Sequence, residues 1–227
     1  MCRALSRTVL DLETLLTALD RLKVFPLPDA VLLPGGALTL AVFEPRYRAL
    51  VDDALRGDRL LAIARFAPGR GDDSDGQARL RPTACLGFIE AARGRARGRQ
   101  QILVRGVTRI RIVGEHPRTA PYREVHAELA DEPPCESSVE LDTVRAALAP
   151  LWGLLPPERR EALAEATHLT DPGALCDAIA LAVVDEPDEL QALLEATGLR
   201  ARSRRLLERI GALLFDAQPR PPRGQVC

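Results

Sequence analysis

The chain has 227 residues, 46% of them hydrophobic and 28% charged, which suits one large domain or two small ones with a substantial core. Its formal net charge of −1 gives no general attraction to nucleic acid or to an anionic membrane surface. No run approaches the roughly 18 apolar residues of a membrane span, and acidic residues interrupt the first 22 positions, so neither a membrane helix nor a secretion signal is predicted. The cysteines are dispersed without a C-x-x-C pair, a pattern that predicts reduced thiols and a cytoplasmic location.

The first predicted element is an amphipathic helix over residues 6–22. Its apolar residues recur at intervals of three and four positions and so share one face: Val9, Leu12, Leu15, Leu16, Leu19 and Leu22. An amphipathic helix ordinarily packs on its own domain, so we expect this one to cover the domain that follows. Docking of a partner on the same face is the alternative.

Residues 25–57 predict a strand, a sharp corner and a helix in close succession. An apolar opening leads to a corner at Pro34-Gly35-Gly36, and a strand is predicted over residues 37–43. Pro45 suits the first position of the next helix, because an N–H there would have no partner within the helix. Gly57 is expected to end this helix in the left-handed conformation. Four residues form its predicted buried face: Tyr47, Leu50, Val51 and Ala54.

The remainder of the first half predicts further strands. Their apolar or alternating segments are residues 59–66, 83–90, 101–113 and 122–129. Residues 67–77 have the composition of a loop. Several short strands with one helix inserted early predict a small closed or nearly closed β-barrel.

The second half has helical periodicity almost throughout. Helices are predicted to begin near positions 141, 157, 172, 187 and 199, with Asp171 as an N-cap. The predicted organisation is a helical extension (1–23), a barrel (24–130), a linker (131–138), a helical bundle (139–216) and a disordered tail (217–227).

Residues 26–55, which read PLPDAVLLPGG…LAVFEPRYRALVDDAL, resemble the opening of the Lon N-terminal (substrate-binding) domain. Four later segments are similar to that family as well: Leu86–Ile89, Val104–Ile110, Pro121–Tyr122 and Glu189–Glu195. The resemblance covers about residues 24–215. It implies an α+β fold in which a PUA-like β-barrel is followed by an α-helical bundle, with the N-terminal helix as an addition.

The resemblance also implies a non-enzymatic, stand-alone module that binds unfolded proteins or partner proteins, without the ATPase and peptidase domains of Lon. The residues agree with this expectation. A phosphate-binding loop needs a lysine before Ser or Thr, and Lys23, the sole lysine, follows no glycine loop. Nor is it placed to serve a Ser–Lys dyad. The three histidines have neither a matched nucleophile nor metal-type spacing, so no metal or cofactor is expected.

Two features of the corner are candidate functional sites. Its apolar residues are predicted to offer a groove to an extended peptide, and the alternative is that they close the barrel. The predicted peptide-binding residues are Leu32, Leu33, Pro34, Gly35 and Phe43. The second feature is the motif Glu44-Pro45-Arg46-Tyr47, for which a structural role is predicted, with Arg46 pairing a carboxylate or backbone carbonyls.

Two alternative functions remain open from the sequence. The arginine-rich turn within Arg93–Arg111 could bind RNA through phosphate contacts from Arg95, Arg97 and Arg99. However, no aromatic residues alternate with these arginines to stack on bases, and a solvated hairpin turn is the simpler interpretation. The other alternative is a small-molecule site between barrel and bundle.

Overall fold

The computed structural model describes residues 12–69, 78–94, 100–130 and 139–217. The chain divides into two compact units, Met1–Ala130 and Asp131–Cys227. The first unit has this order of elements: α1 (Leu12–Asp20), β1 (Leu22–Leu27), β2 (Ala37–Val42), α2 (Pro45–Arg56), β3 (Leu60–Arg65), β4 (Thr83–Arg93), β5 (Gln100–Glu115) and β6 (Arg123–Leu129). The second unit is helical: α3 (Val139–Leu151), α4 (Pro157–Ala166), α5 (Pro172–Val183), α6 (Pro187–Glu195) and α7 (Leu199–Asp216).

Five strands of the first unit form a closed ring. Strand β1 pairs in parallel with β3, and the pairs β3–β4, β4–β5, β5–β6 and β6–β1 are antiparallel. Strand β2 lies outside the ring, because it pairs with the first part of β5 while β6 pairs with the last part. The predicted α+β fold with a β-barrel and a helical bundle is therefore confirmed.

The apolar core of the first unit takes side chains from all five strands of the ring. Ala18 and Leu19 of α1 belong to the same core, so this helix packs on its own barrel, as the sequence predicted. Helix α2 buries the predicted face of Tyr47, Leu50, Val51 and Ala54. The described part of α1 is shorter than the predicted helix, and residues 6–11 lie outside the described residues.

Two local predictions in this unit need correction. Residues 22–27 form a full strand, although Pro26 lacks the N–H that a central strand normally uses. The strand tolerates Pro26 because pairing with β6 covers only Leu22–Val24. At the end of α2, Gly57 is not left-handed (φ −106°); the left-handed residue is Arg59, with φ 65°. The Arg59 N–H donates to the carbonyl of Ala54 (2.9 Å) and so closes the turn.

The helical unit follows the predicted order of helices. The Asp171 carboxylate accepts a hydrogen bond from the Ala174 N–H (2.6 Å), which confirms the predicted N-cap of α5. Arg159 of α4 forms an ion pair with Asp185, and hydrogen bonding from Arg159 holds the pKa of Asp185 below its ordinary value. Arg209 of α7 pairs with Glu186 (2.7 Å). The predicted linker at 131–138 and residues 218–227 of the predicted tail lie outside the described residues.

Candidate peptide-binding surface

The corner between β1 and β2 is only partly exposed. Leu32 and Leu33 are 1% and 0% exposed, so their side chains belong to the core. The predicted exposed groove at these two leucines is not what the structure shows, and their burial favours the alternative in which they close the barrel. Pro34 is half-buried and Gly35 is exposed, with the left-handed φ of 77° that glycine adopts freely.

The corner is fixed to β5 through the backbone of Gly106. The Gly35 N–H donates to the Gly106 carbonyl (2.9 Å), and the Gly106 N–H donates to the Gly36 carbonyl (2.9 Å). The approach is so close that a Cβ atom at position 106 would lie 2.1 Å from the Leu33 carbonyl oxygen. A glycine at position 106 is therefore a packing requirement of this corner.

Strand β2 has one paired edge and one open edge. Its partner is β5, and no other strand among the described residues pairs with it. The bond from Gly106 to Gly36 makes these two a hydrogen-bonded pair, and such pairs alternate along an antiparallel ladder. Alternation directs the backbone groups of Leu38, Leu40 and Val42 toward β5. The N–H and C=O groups of Ala37, Thr39 and Ala41 consequently point away from β5.

The open edge lacks the usual protection of edge strands. Proteins commonly guard such edges with charged residues or proline, and β2, with the sequence ALTLAV, contains neither. Phe43 follows at the end of the strand and is 62% exposed. We name the outward backbone groups of Ala37, Thr39 and Ala41, together with the Phe43 side chain, the β2 edge. Of the predicted peptide-binding residues, Phe43 lies on this surface, and Pro34 and Gly35 lie in the corner that precedes β2.

The motif after Phe43 forms a cluster of ring and ion contacts. The Arg46 Nε donates to the Glu44 carboxylate (2.9 Å), as predicted for a carboxylate partner. The Arg46 guanidinium also lies 4.6 Å from the centre of the Tyr47 ring. Tyr47 in turn stacks on Phe25 of β1, with ring centres 4.5 Å apart. These contacts join the start of α2, which follows Phe43 in the chain, to β1 of the barrel.

Replacement of Arg46 by alanine should destabilise the protein only modestly. The Arg46–Glu44 pair is partly exposed, and partly exposed ion pairs and cation–π contacts each contribute about 0.5–1 kcal/mol. We expect Arg46→Ala to lower the free energy of unfolding by about 1 kcal/mol in urea titrations. Arg56→Ala is the matched control on the same helix, because Arg56 is largely exposed; it should have a smaller effect. Unchanged stability together with lost peptide binding would instead make Arg46 a contact residue.

The Tyr122 hydroxyl ties α2 to the segment before β6. It donates a hydrogen bond to the Asp53 carboxylate (2.6 Å). Burial, together with this hydrogen bond, raises the pKa of Tyr122 well above that of a free tyrosine. The contact between the Tyr122 hydroxyl and the Asp53 carboxylate holds α2 against the segment that precedes β6.

Two arginines that follow the predicted RNA-binding turn, Arg105 and Arg111, do not support phosphate binding. Arg95, Arg97 and Arg99 lie outside the described residues. Nearby, Arg105 pairs with Glu90 (2.5 Å) and Arg111 pairs with Glu128 (2.5 Å). Since the charge of these two arginines is compensated by carboxylates, they do not add to a phosphate-binding surface.

A second surface feature, in the helical unit, was not anticipated from the sequence. A groove of about 670 Å³ is lined by Arg145, Leu148, Ala149, Trp152, Leu163 and Thr167. Trp152, the single tryptophan, is partly exposed there. In the sequence, Trp152 lies near the end of the first predicted helix of this unit, which Pro156-Pro157 terminates, and a lone tryptophan there was the only signal of this groove.

The described residues contain neither a metal-binding cluster nor a membrane-spanning helix. Within the described ranges, no group of three or more His, Cys, Asp or Glu residues could hold a metal ion. No helix in the described part of the chain is long and apolar enough to cross a membrane.

Comparison with solved structures supports the fold. The structure is similar to the N-terminal domain of a Mycobacterium avium complex Lon protease, with a TM-score of 0.66 and 23% identity over 84% of this chain and 98% of that one. It is also similar to a Lon N-terminal domain protein from Xanthomonas campestris, with a TM-score of 0.54 and 20% identity over 88% and 99% of the two chains.

Comparison of sequences gives the family. Lon protease 2 of Myxococcus xanthus is 32% identical over 82% of this chain and 23% of its own length. The Lon protease of Anaeromyxobacter dehalogenans is 30% identical over 82% of this chain and 22% of its own length. The chain thus spans about a quarter of the length of these relatives. The family model of the ATP-dependent protease La (LON) substrate-binding domain matches residues 21–211, and the chain belongs to this family.

Proposed function

We propose that this chain recognises other proteins by binding extended, apolar segments of unfolded or partner chains at the β2 edge. Membership of the substrate-binding domain family supports a role in recognition. The single observation that supports binding at the β2 edge is the exposed Phe43 side chain at the end of an uncharged, open strand. In this proposal the chain binds and does not catalyse.

Phe43 gives the surface its apolar contact. A mostly exposed phenylalanine contributes little to the stability of the folded chain, but a bound apolar segment would remove it from water. Burial of a large apolar side chain is worth about 1.5–3 kcal/mol when complete. Monomeric proteins can leave single apolar side chains exposed, so the adjoining open strand is what distinguishes Phe43 from other exposed apolar residues.

Phe43→Asp should weaken binding without affecting folding. We expect at least a tenfold loss of affinity for a reduced, permanently unfolded test protein labelled for fluorescence anisotropy, because the substitution removes the apolar contact and adds a charge. The urea midpoint should change little, since residue 43 is 62% exposed. The disulfide-bonded, folded form of the same polypeptide should bind neither the wild type nor Phe43→Asp.

The control is Val113→Asp, which places the same charge at another exposed apolar position (49% exposed) of the barrel unit. Val42 pairs with Gln100 at the start of β5, whereas Val113 lies near the other end of that strand. Val113→Asp should bind like the wild type. Equal losses in both variants would indicate a general effect of charge, and no binding by the wild type would refute the proposed function.

A further inference from the structure

We infer that the bound segment adds to the sheet as a further strand along the β2 edge, which is a step that rests on the proposed function. The ligand class is then an extended, uncharged polypeptide segment of about five to seven residues, recognised mainly through its backbone.

The backbone of β2 carries this inference. Ala37, Thr39 and Ala41 are spaced two residues apart, and each presents both an N–H and a C=O group outward, as derived from the register with β5. An incoming strand needs this alternation in order to form a ladder. Each hydrogen bond formed contributes a factor of roughly two to ten in affinity.

The side chains of β2 select the composition of the segment. Ala37, Thr39, Ala41 and Phe43 share one face and are exposed, whereas Leu38 and Leu40 are half-buried on the other face. Residues of an added strand would lie beside small or aromatic groups on one face and beside leucines on the other. Because residues 37–43 carry no charge, uncharged segments with apolar residues on both faces fit best. Such segments are exposed when a folded core comes apart.

The first test removes one outward donor. Thr39→Pro deletes an N–H that β2 does not use with β5, and proline is tolerated at the solvent side of edge strands. We expect a loss of affinity for the unfolded test protein of roughly two- to tenfold at an unchanged melting temperature. Thr39→Val, which keeps the N–H and loses only the hydroxyl, should bind normally. Leu40→Pro should lower the melting temperature, because it removes a bond of the ladder with β5.

The second test changes the ligand and leaves the protein intact. The probe is a seven-residue peptide in which large and small apolar side chains alternate, so that one face is preferred. Two analogues carry N-methyl groups at odd or at even positions. We expect one analogue to lose binding and the other to bind within about threefold of the unmodified peptide, because only one set of N–H groups faces β2.

The outcomes separate the two proposals. If the unmodified peptide binds and both analogues bind equally well or equally badly, strand addition is wrong and the proposed function stands. If the unmodified peptide and the unfolded protein both fail to bind, the proposed function itself fails. If the wild type is a dimer by sedimentation that Thr39→Pro converts to a monomer with unchanged peptide binding, the edge pairs with a second copy and the inference is overturned.

Discussion

Leu33→Asp should unfold the barrel unit. Leu33 is fully buried at the corner, and aspartate at that position would place a carboxylate in the core while removing a large apolar side chain. Both changes are unfavourable, and together we expect a loss of at least about 4 kcal/mol in the free energy of unfolding. Far-ultraviolet circular dichroism and the urea midpoint measure this loss.

The control for Leu33→Asp is Leu16→Asp. It makes the same substitution in the same unit at a leucine of α1 that is 53% exposed, so its urea midpoint should stay near that of the wild type. A Leu33→Asp protein with a wild-type midpoint would show that the corner opens in solution. That result would support the predicted groove at Leu32 and Leu33.

Gly106→Ala, which adds a single methyl group, should destabilise the barrel unit strongly. The added Cβ atom would lie 2.1 Å from the carbonyl oxygen of Leu33 and 2.9 Å from its carbonyl carbon. Both are backbone atoms that cannot rotate away, so the corner must separate from β5. The bonds that join Gly106 to Gly35 and Gly36 would weaken with it. We expect a loss of about 2–4 kcal/mol, measured by urea titration.

Gly114→Ala is the matched control for this glycine. It lies on the same strand, and a Cβ atom at position 114 would meet no atom within 4 Å. There, alanine should change the stability by no more than about 1 kcal/mol, in either direction. A Gly106→Ala protein as stable as Gly114→Ala would contradict the close approach of Leu33 to β5.

Most of the fold could be predicted because its signals are local. Alternation of apolar residues marked the strands, and Asp171-Pro172 marked the start of a helix with side-chain capping. Where β1 lies, the sequence predicts only an apolar opening, because Pro26 lacks the N–H that a central strand uses. Pro26 fits the strand only because the pairing with β6 ends at Val24, which the sequence does not reveal. The left-handed residue after α2 was misplaced by two positions, because Gly57 is the better intrinsic candidate than Arg59.

The candidate site was less predictable, because exposure depends on what other parts of the chain cover. Leu33 lies in the corner before β2 and Phe43 directly after β2; both are apolar, yet one is buried and the other is mostly exposed. Periodicity could not separate them, since neither residue lies within a regular element. The open edge of β2 was equally hidden, because the sequence of a strand does not reveal which strands pair with it.

The pairing of β1 with β6 has a consequence for how the barrel forms. These strands join the beginning and the end of the unit, and the contact between Arg21 and Glu124 spans 103 residues of chain. Closing so long a loop is entropically unfavourable before any contact compensates for it, and proteins dominated by such distant pairings fold slowly. During synthesis the ring cannot close until β6 has left the ribosome. Until then β1 exposes the same kind of unpaired edge that the finished protein retains at β2.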